Sequence, residues 1–324
     1  MFTISRLQFS LEILDAAALP RHWGSYLRGI FGAAMKSCFC DHPELKACRP
    51  CPSFADCEYP FVFKTERGAF GVELQGRPLG TQQNLPPPFV IGPPRLPKEI
   101  RAGDMIQFEF HSIGYLAEHY WYPVRAFDDA ANHGRAPFRL VEVRDLLAAG
   151  RPIFDGKNLC RPVLCDIGEL ARRLMPFPLP TNIQVTFTSP VNIEWEKATE
   201  IDRETGLICL KDFFDLTRAV VERVSGLWQL YGTEWIGQAE FFRWRTRLLD
   251  ASKEIRTTLK ELHCEAETRY SGYRDEEIPV SGFTGTMQFS GDLTDFFELL
   301  LIGELVHVGQ QTTNGLGRYT LLFN

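Results

Sequence analysis

Apolar positions near the start of the chain recur at close to every second residue. Ile4, Leu7, Phe9, Leu11 and Ile13 predict a strand over Thr3 to Leu14 with one buried face. The spacing then lengthens. Trp23, Leu27, Ile30, Phe31, Ala34 and Met35 repeat with helical period, and Pro20 suits the first turn of such a helix. Gly29 and Gly32 lower helix propensity, which implies close packing against a neighbouring element. Further on, Phe89 to Gly92 and Met105 to Ile113 predict strands, Leu116 to Asn132 a helix, and Phe138 to Val143 another strand. The order β-α-β-β-α-β is the ferredoxin-like plan, an α+β class.

From Ala148 to Pro180 the periodicity gives way to Pro and Gly, which predicts an interdomain connection with a short helix near Ile167 to Leu174. A second run follows. Ile183, Val185 and Phe187 alternate, resuming with Val191, Ile193 and Trp195. Asp212 to Tyr231 is helical, with Phe213, Leu216, Val220, Val224 and Leu227 on one side. Strands at about Cys264 to Tyr273 and Gly282 to Ser290 precede a helix through Phe296, Phe297, Leu300 and Leu301, for which Asp292 can serve as cap. A final strand runs from Arg318 to Phe323. The expected architecture is two domains, residues 1–147 and 181–324, joined by 148–180.

A length of 324 residues fits two domains, and 25 phenylalanines can fill two cores. No stretch reaches the roughly 18 apolar residues of a membrane span, and the alternating N-terminus does not read as a secretion signal, so a cytoplasmic protein without a membrane partner is expected. The net charge of −6 predicts weak non-specific affinity for nucleic acid. Locally the balance reverses: Phe241 to Lys260 holds Arg243, Arg245, Arg247, Lys253, Arg256 and Lys260 against Asp250 and Glu254. On a strand the first three arginines share a face; on a helix they fan apart. Either way they suit phosphate contact, with Trp244 a candidate for base stacking, against the plainer reading of a solvated face paired with Glu240, Asp250 and Glu254.

The nine cysteines are unevenly spread. Cys38, Cys40, Cys48, Cys51 and Cys57 cluster within twenty residues, with Cys48-x2-Cys51 forming a knuckle-like pair. Cys48, Cys51 and Cys57, completed by Cys40 or Cys38, are candidate thiolate ligands. Cys40 is favoured because Cys38 ends the apolar stretch of the first helix. Structural zinc is the default for a closed four-cysteine site, with an iron–sulfur cluster the alternative. Cys160, Cys165, Cys209 and Cys264 stand alone and read as ordinary small residues.

Two stretches carry candidate chemistry. On the first helix His22 and Tyr26 are four residues apart and share a face, with Ser25 and Arg28 close by. A histidine is the natural acid/base near neutral pH, and His22 can equally cap the helix while Tyr26 packs in the core. Near the C-terminus, Gly309, Gly315 and Gly317 punctuate the polar loop Gln310-Gln311-Thr312-Thr313-Asn314. Such a loop can present backbone N–H groups to a phosphate chain. His307 ends the helix before it.

The pattern H-V-G-x-x-T-T-x-G-L-G-R-Y, His307 to Tyr319, resembles the C-terminal signature of RAMP-superfamily proteins, and within them the CRISPR-associated endoribonucleases that cut repeat RNA into guides. Leu27-Arg28-Gly29-x-Phe31-Gly32 shares the likeness. Gln310 and Asn314 depart from the usual pattern, where lysine and an aromatic are frequent. The resemblance implies two tandem ferredoxin-like domains. It also implies an active site on the first helix close to the glycine loop, which points to His22 and Tyr26, with His307 competing. It implies cleavage by attack of a 2′-hydroxyl, leaving 2′,3′-cyclic phosphate and 5′-hydroxyl ends without a catalytic metal. CRISPR repeat RNA is the expected partner, held by Gly309, Thr312, Thr313, Gly315, Gly317, Arg318, Arg28 and the three arginines 243, 245 and 247. Other CRISPR effector subunits are further expected partners. Some members carry a comparable cysteine insertion, which supports a structural metal. The alternatives are a non-catalytic RAMP subunit that shields guide RNA, and a zinc-bearing protein-interaction module.

Overall fold

Each run of the β-α-β-β-α-β pattern closes into its own antiparallel sheet. The computed structural model describes residues 1–45, 47–65, 85–97, 99–132, 136–193, 208–234, 236–265, 268–271 and 276–323. Trp195 and the end of the strand expected at Cys264 to Tyr273 lie outside them. Two compact units result, Met1–Asp166 with Gly226–Trp235, and Ile167–Ser225 with Ile236–Asn324.

The first unit contains β1 (Thr3–Ile13), α1 (Trp23–Phe39), β2 (Phe89–Gly92), β3 (Met105–Ile113), α2 (Tyr115–Glu118), α3 (Trp121–Asn132) and β4 (Phe138–Asp145). The sheet order β2-β3-β1-β4 is that of a ferredoxin-like fold. Two strands appear in the Pro/Gly-rich stretch expected to be a connection. β5 (Arg151–Phe154) extends the sheet beside β4, and β6 (Cys165–Asp166) pairs with the start of β1. Ile4 is out of phase with Leu7, Phe9 and Leu11 yet fully buried, so β1 is covered on both faces at its start.

The core of this unit is aromatic. Phe9 from β1 stacks on Phe108 at 4.9 Å and meets Phe127 of α3 edge-on at 5.3 Å; Phe31 of α1 meets Phe110 at 5.1 Å. Offset and edge contacts of this kind add about 0.5–1.5 kcal/mol each beyond area burial. The single helix expected over Leu116 to Asn132 is broken at His119, between α2 and α3. Pro123 explains the break: it has no N–H for a continuous helix and sits comfortably in the first turn of a new one.

The second unit holds α4 (Ile167–Leu174), β7 (Asn182–Val191), α5 (Phe213–Tyr231), α6 (Gln238–Ser252), β8 (Arg256–Glu265), a hairpin of β9 (Thr268–Ser271) and β10 (Glu276–Pro279), β11 (Gly282–Ser290), α7 (Phe297–Val306) and β12 (Tyr319–Phe323). Its sheet order, β12-β7-β11-β8, repeats the ferredoxin-like arrangement. Val185, Phe187, Phe213, Leu216, Val220, Phe289 and Leu300 are buried between sheet and helices. Asp292 accepts from the Thr294 N–H and so caps the turn before α7, not the helix itself, whose N-cap position is Phe296. None of the helices among the described residues is long and apolar enough to cross a membrane.

Candidate functional site

In the first unit the candidate chemistry sits at the start of α1. The helix begins later than Pro20 suggests, with His22 in the N-cap position and Trp23 as its first residue. The His22 side chain makes no capping bond to the helix. The Tyr26 N–H closes the first turn onto the His22 carbonyl at 3.0 Å. Trp23, buried, meets the Tyr26 ring edge-on at 6.1 Å. Burial raises the pKa of the Tyr26 phenol above its ordinary value. His22 and Tyr26 are thus one helical turn apart, both half-buried.

Arg28 lies one turn further along α1, its guanidinium 4.4 Å above the centre of the Phe63 ring. Phe63 belongs to a π-helical turn, Pro60–Lys64, and stacks between Tyr59 and Phe89. The same ring explains Gly32: a Cβ there would lie 2.2 Å from Phe63 Cζ. Gly29 behaves otherwise. It is exposed, and a Cβ there would meet nothing within 4 Å among the described residues, so close packing is not its reason. Phe63 was not legible in the sequence, because nothing in P-F-V-F-K marks which phenylalanine turns toward α1.

The cysteine segment follows directly. Cys38 lies exposed in the last turn of α1, and Cys40 is its C-cap. Cys40, Cys48, Cys51 and Cys57 line one small pocket, together with Lys36 and His42. His42 was missed in the sequence, where only its spacing from Cys40 could have signalled it. Cys57 Sγ is within hydrogen-bonding reach of the Cys40 thiol and accepts from the Tyr59 backbone N–H; burial is the main cause pushing its thiol up to about 11.

In the second unit the glycine loop is closed by its own backbone. Gly309, Gln311, Gly315 and Gly317 all have positive φ, between 55° and 85°. A Cβ on Gly317 would lie 1.7 Å from the Val308 carbonyl oxygen, and one on Gly309 2.2 Å from that of Asn192. The N–H of Gly317 donates to the Pro190 carbonyl at 2.8 Å, and that of Gly315 to Thr312 at 3.1 Å. Arg318 N–H donates to Ser189 Oγ at 2.8 Å. The expectation that Gly315 and Gly317 offer N–H groups to phosphate is therefore corrected: both groups are already bonded within the protein. Thr312, Thr313 and Asn314 are buried in a short 3-10 turn, whereas Gln310 is exposed and Arg318 partly so.

His307 is buried, with a φ of 55°, at the exit of α7. Arg223 of α5 donates to the carbonyl of the preceding residue, Val306, at 3.2 Å. This position shapes the turn into the loop and leaves little of the imidazole at the surface. Below it, the Tyr319 hydroxyl donates to the Leu300 carbonyl at 2.5 Å, and Gly303 leaves room for that hydroxyl.

The arginines of the basic stretch lie on α6, so they fan around a helix. Arg243 and Arg247 project one turn apart and exposed, with no ion pair among the described residues. Arg245 lies 3.7 Å from Glu222, which also binds Arg218 at 3.0 Å. Asp250 is taken by Lys253, at 2.7 Å. Trp244 is half-buried and packs on Phe241, with ring centres 5.8 Å apart.

Tandem ferredoxin-like folds, the second closed by a glycine-rich loop before its last strand, define the class. Residues 2–164 match the family model of the AF_1859_N N-terminal domain. Residues 185–319 match that of the CRISPR-associated endoribonuclease Cas6. The chain belongs to the family of that N-terminal domain, and its C-terminal half belongs to the Cas6 endoribonuclease family. No curated protein matches the chain.

Solved structures share the fold. A Thermus thermophilus Cas6 is 15% identical with a TM-score of 0.52, and 99% of each chain is covered. A Cas6 product complex is 16% identical with a TM-score of 0.55, covering 98% of this chain and 100% of that one. A partial Cas6-RT-Cas1–Cas2 complex is 15% identical with a TM-score of 0.57 and is matched by all of this chain, which spans only 46% of the longer one. At these identities the likeness is one of fold.

Proposed function

We propose that the protein is an endoribonuclease that cuts CRISPR precursor RNA within its repeats. The match of residues 185–319 to the Cas6 endoribonuclease model, which takes in the whole glycine loop, carries this reading. The cleavage is a transesterification. The 2′-hydroxyl upstream of the cut loses its proton and attacks the adjacent phosphorus, the bond to the 5′-oxygen breaks, and that oxygen gains a proton. The products carry a 2′,3′-cyclic phosphate and a 5′-hydroxyl. No metal ion takes part at the reacting phosphate.

His22 is the proton-transfer group in this proposal. It stands at the N-cap position of α1 without a capping bond, one turn before Tyr26, and a histidine is the natural acid/base group for both proton steps. Tyr26, a phenol whose pKa burial raises further above its ordinary value, donates a hydrogen bond to a phosphate or leaving oxygen. Arg28, Arg318 and the exposed pair Arg243 and Arg247 supply positive charge to the RNA backbone, and Gln310 the exposed polar contact of the loop. Gly309, Gly315, Gly317, Thr312 and Thr313 set the loop's shape. The partner is repeat RNA, with other CRISPR proteins as further partners.

The test is single-turnover cleavage of labelled repeat RNA in EDTA, with the product ends identified by mass. His22→Ala should slow the reaction by about 10²–10⁴-fold with RNA affinity nearly unchanged. Tyr26→Phe should slow it less. Wild-type protein that binds repeat RNA and leaves it intact is instead a guide-binding subunit. Loss of cleavage in His307→Ala with His22→Ala active moves the acid/base role to the other end of the chain.

A further inference from the structure

Between the end of α1 and the π-helical turn at Pro60, the chain runs for some twenty residues without a helix or strand among the described residues, and at its far end the Tyr115 hydroxyl donates to Glu58. No described residue from Asp41 to Glu58 is buried. The backbone bonds there are short turns: Leu45 to His42 at 3.1 Å, Cys51 to Cys48 at 2.8 Å, Phe54 to Cys51 at 3.1 Å and Asp56 to Ser53 at 3.2 Å. Lys36 ties the segment to α1 through the Leu45 carbonyl at 2.5 Å. A segment of this length with neither core nor ladder needs another constraint to hold one conformation.

A small pocket in this segment has the four spaced cysteines in its lining, beside Lys36, His42, Leu45 and Phe54. Cys40 comes from the helix C-cap, Cys48 and Cys51 flank a tight turn, and Cys57 returns the chain toward the π-helical turn. The Cys57 and Cys40 thiols lie within hydrogen-bonding reach of each other. Cys38 is exposed and does not line that pocket, which favours Cys40 as the fourth ligand. A disulfide is a second fate for Cys40 and Cys57, but it leaves Cys48 and Cys51 without a role.

We propose that Cys40, Cys48, Cys51 and Cys57 bind one zinc ion as a structural tetrathiolate site. Among the described residues no three His, Cys, Asp or Glu side chains already stand as a metal-holding group. Four thiolates are the donor set of structural zinc, which they bind at about 2.3 Å. Each coordinating thiol gives up its proton to solvent, and the Lys36 ammonium beside the pocket offsets part of the resulting negative charge. His42, also at the pocket, is available to hydrogen-bond a coordinated sulfur.

The full chain, untagged and purified from zinc-supplemented medium, should contain about one zinc per chain by elemental analysis. Cobalt substitution should give the sulfur-to-cobalt charge-transfer absorption and tetrahedral visible bands of a thiolate site. Cys51→Ser should lose both signals, and Cys264→Ser, an exposed strand cysteine outside the pocket, should keep them. Should Cys51→Ser fail to fold, wild type alone decides: a chelator must release zinc and expose additional thiols to Ellman's reagent. Metal-free wild type without a cobalt band overturns the proposal, as does zinc held equally by both variants. Iron with inorganic sulfide in place of zinc overturns the choice of metal.

Discussion

The cysteine segment and the glycine loop are both irregular stretches that follow a helix, and they are held in opposite ways. In the loop from His307 to Arg318 the backbone does the holding. Its N–H groups at Gln310, Gly315 and Gly317 are bonded internally, and Gly309 and Gly317 sit so close to carbonyls that no side chain fits. In the segment from Asp41 to Glu58 the backbone bonds among the described residues are short turns and one contact from Lys36, and four cysteines line its pocket. One loop is specified by its own main chain; on the zinc proposal, the other is specified by what its side chains bind. The first should therefore be insensitive to solution conditions and intolerant of substitution; the second should depend on its ligand.

The largest effect is expected at Gly317. Valine there requires a β-branched residue at a φ of 69° with its Cβ on the Val308 carbonyl. The variant should lose about 4 kcal/mol or more of stability, the exceptional range for one substitution, or fail to fold. Denaturant unfolding measures this. A Gly317→Val protein as stable as wild type, impaired only in RNA binding, would show that the loop is shaped by RNA and not by its own backbone.

Next in size is the cysteine segment. Removing zinc with a chelator should lower the melting temperature of wild type, since metal that binds only the folded state stabilises it by mass action. Cys51→Ser should melt near chelated wild type with or without added zinc, and Gly317→Val should gain nothing from zinc. Equal sensitivity of wild type and Cys51→Ser to chelator breaks the contrast between the two loops.

Much of the fold was legible because apolar periodicity and tertiary burial agree. The strands Phe89–Gly92 and Met105–Ile113 and the short helix Ile167–Leu174 fall where the pattern predicts them. The departures have local causes. β5 and β6 hide in a Pro/Gly-rich stretch because each is too short for a period to register and gains its pairing only from the sheet. The arginine stretch has alternating charge on a helix, where the aromatic residues Phe241 and Trp244, three apart, were the better guide. At the candidate site, residue types pointed to His22, Tyr26 and the four thiols. The contacts of other candidates, Phe63 beneath Arg28 in the first unit and the carbonyls of Pro190 and Val308 around Gly317 in the second, come from distant sequence or from backbone, which carries no residue signal.

A smaller effect separates the two glycines of α1. Gly32→Ala presses a methyl into the Phe63 ring, and because that ring also carries the Arg28 guanidinium, the change should destabilise the protein by about 1–3 kcal/mol. Phe63→Leu in the same background should recover part of the loss by yielding space. No recovery would place the constraint on Gly32 in something other than the ring.

The smallest change is the sharpest for function. Gly29 is exposed in the middle of α1, with ordinary helical geometry and open space around a Cβ among the described residues. By helix propensity alone Gly29→Ala should stabilise the protein by about 0.5–1 kcal/mol, because alanine has less backbone freedom to lose on folding. Yet Gly29 lies next to Arg28 and one turn beyond Tyr26, in the segment that carries part of the family resemblance. If α1 lies against the RNA backbone, a methyl at 29 intrudes where the chain is bare. Stability should then rise while repeat-RNA affinity falls, opposite signs that no folding defect can produce. A Gly29→Ala protein that is more stable and binds and cleaves as well as wild type takes this part of α1 away from the RNA, and leaves its glycine a residue that neither packing nor binding requires.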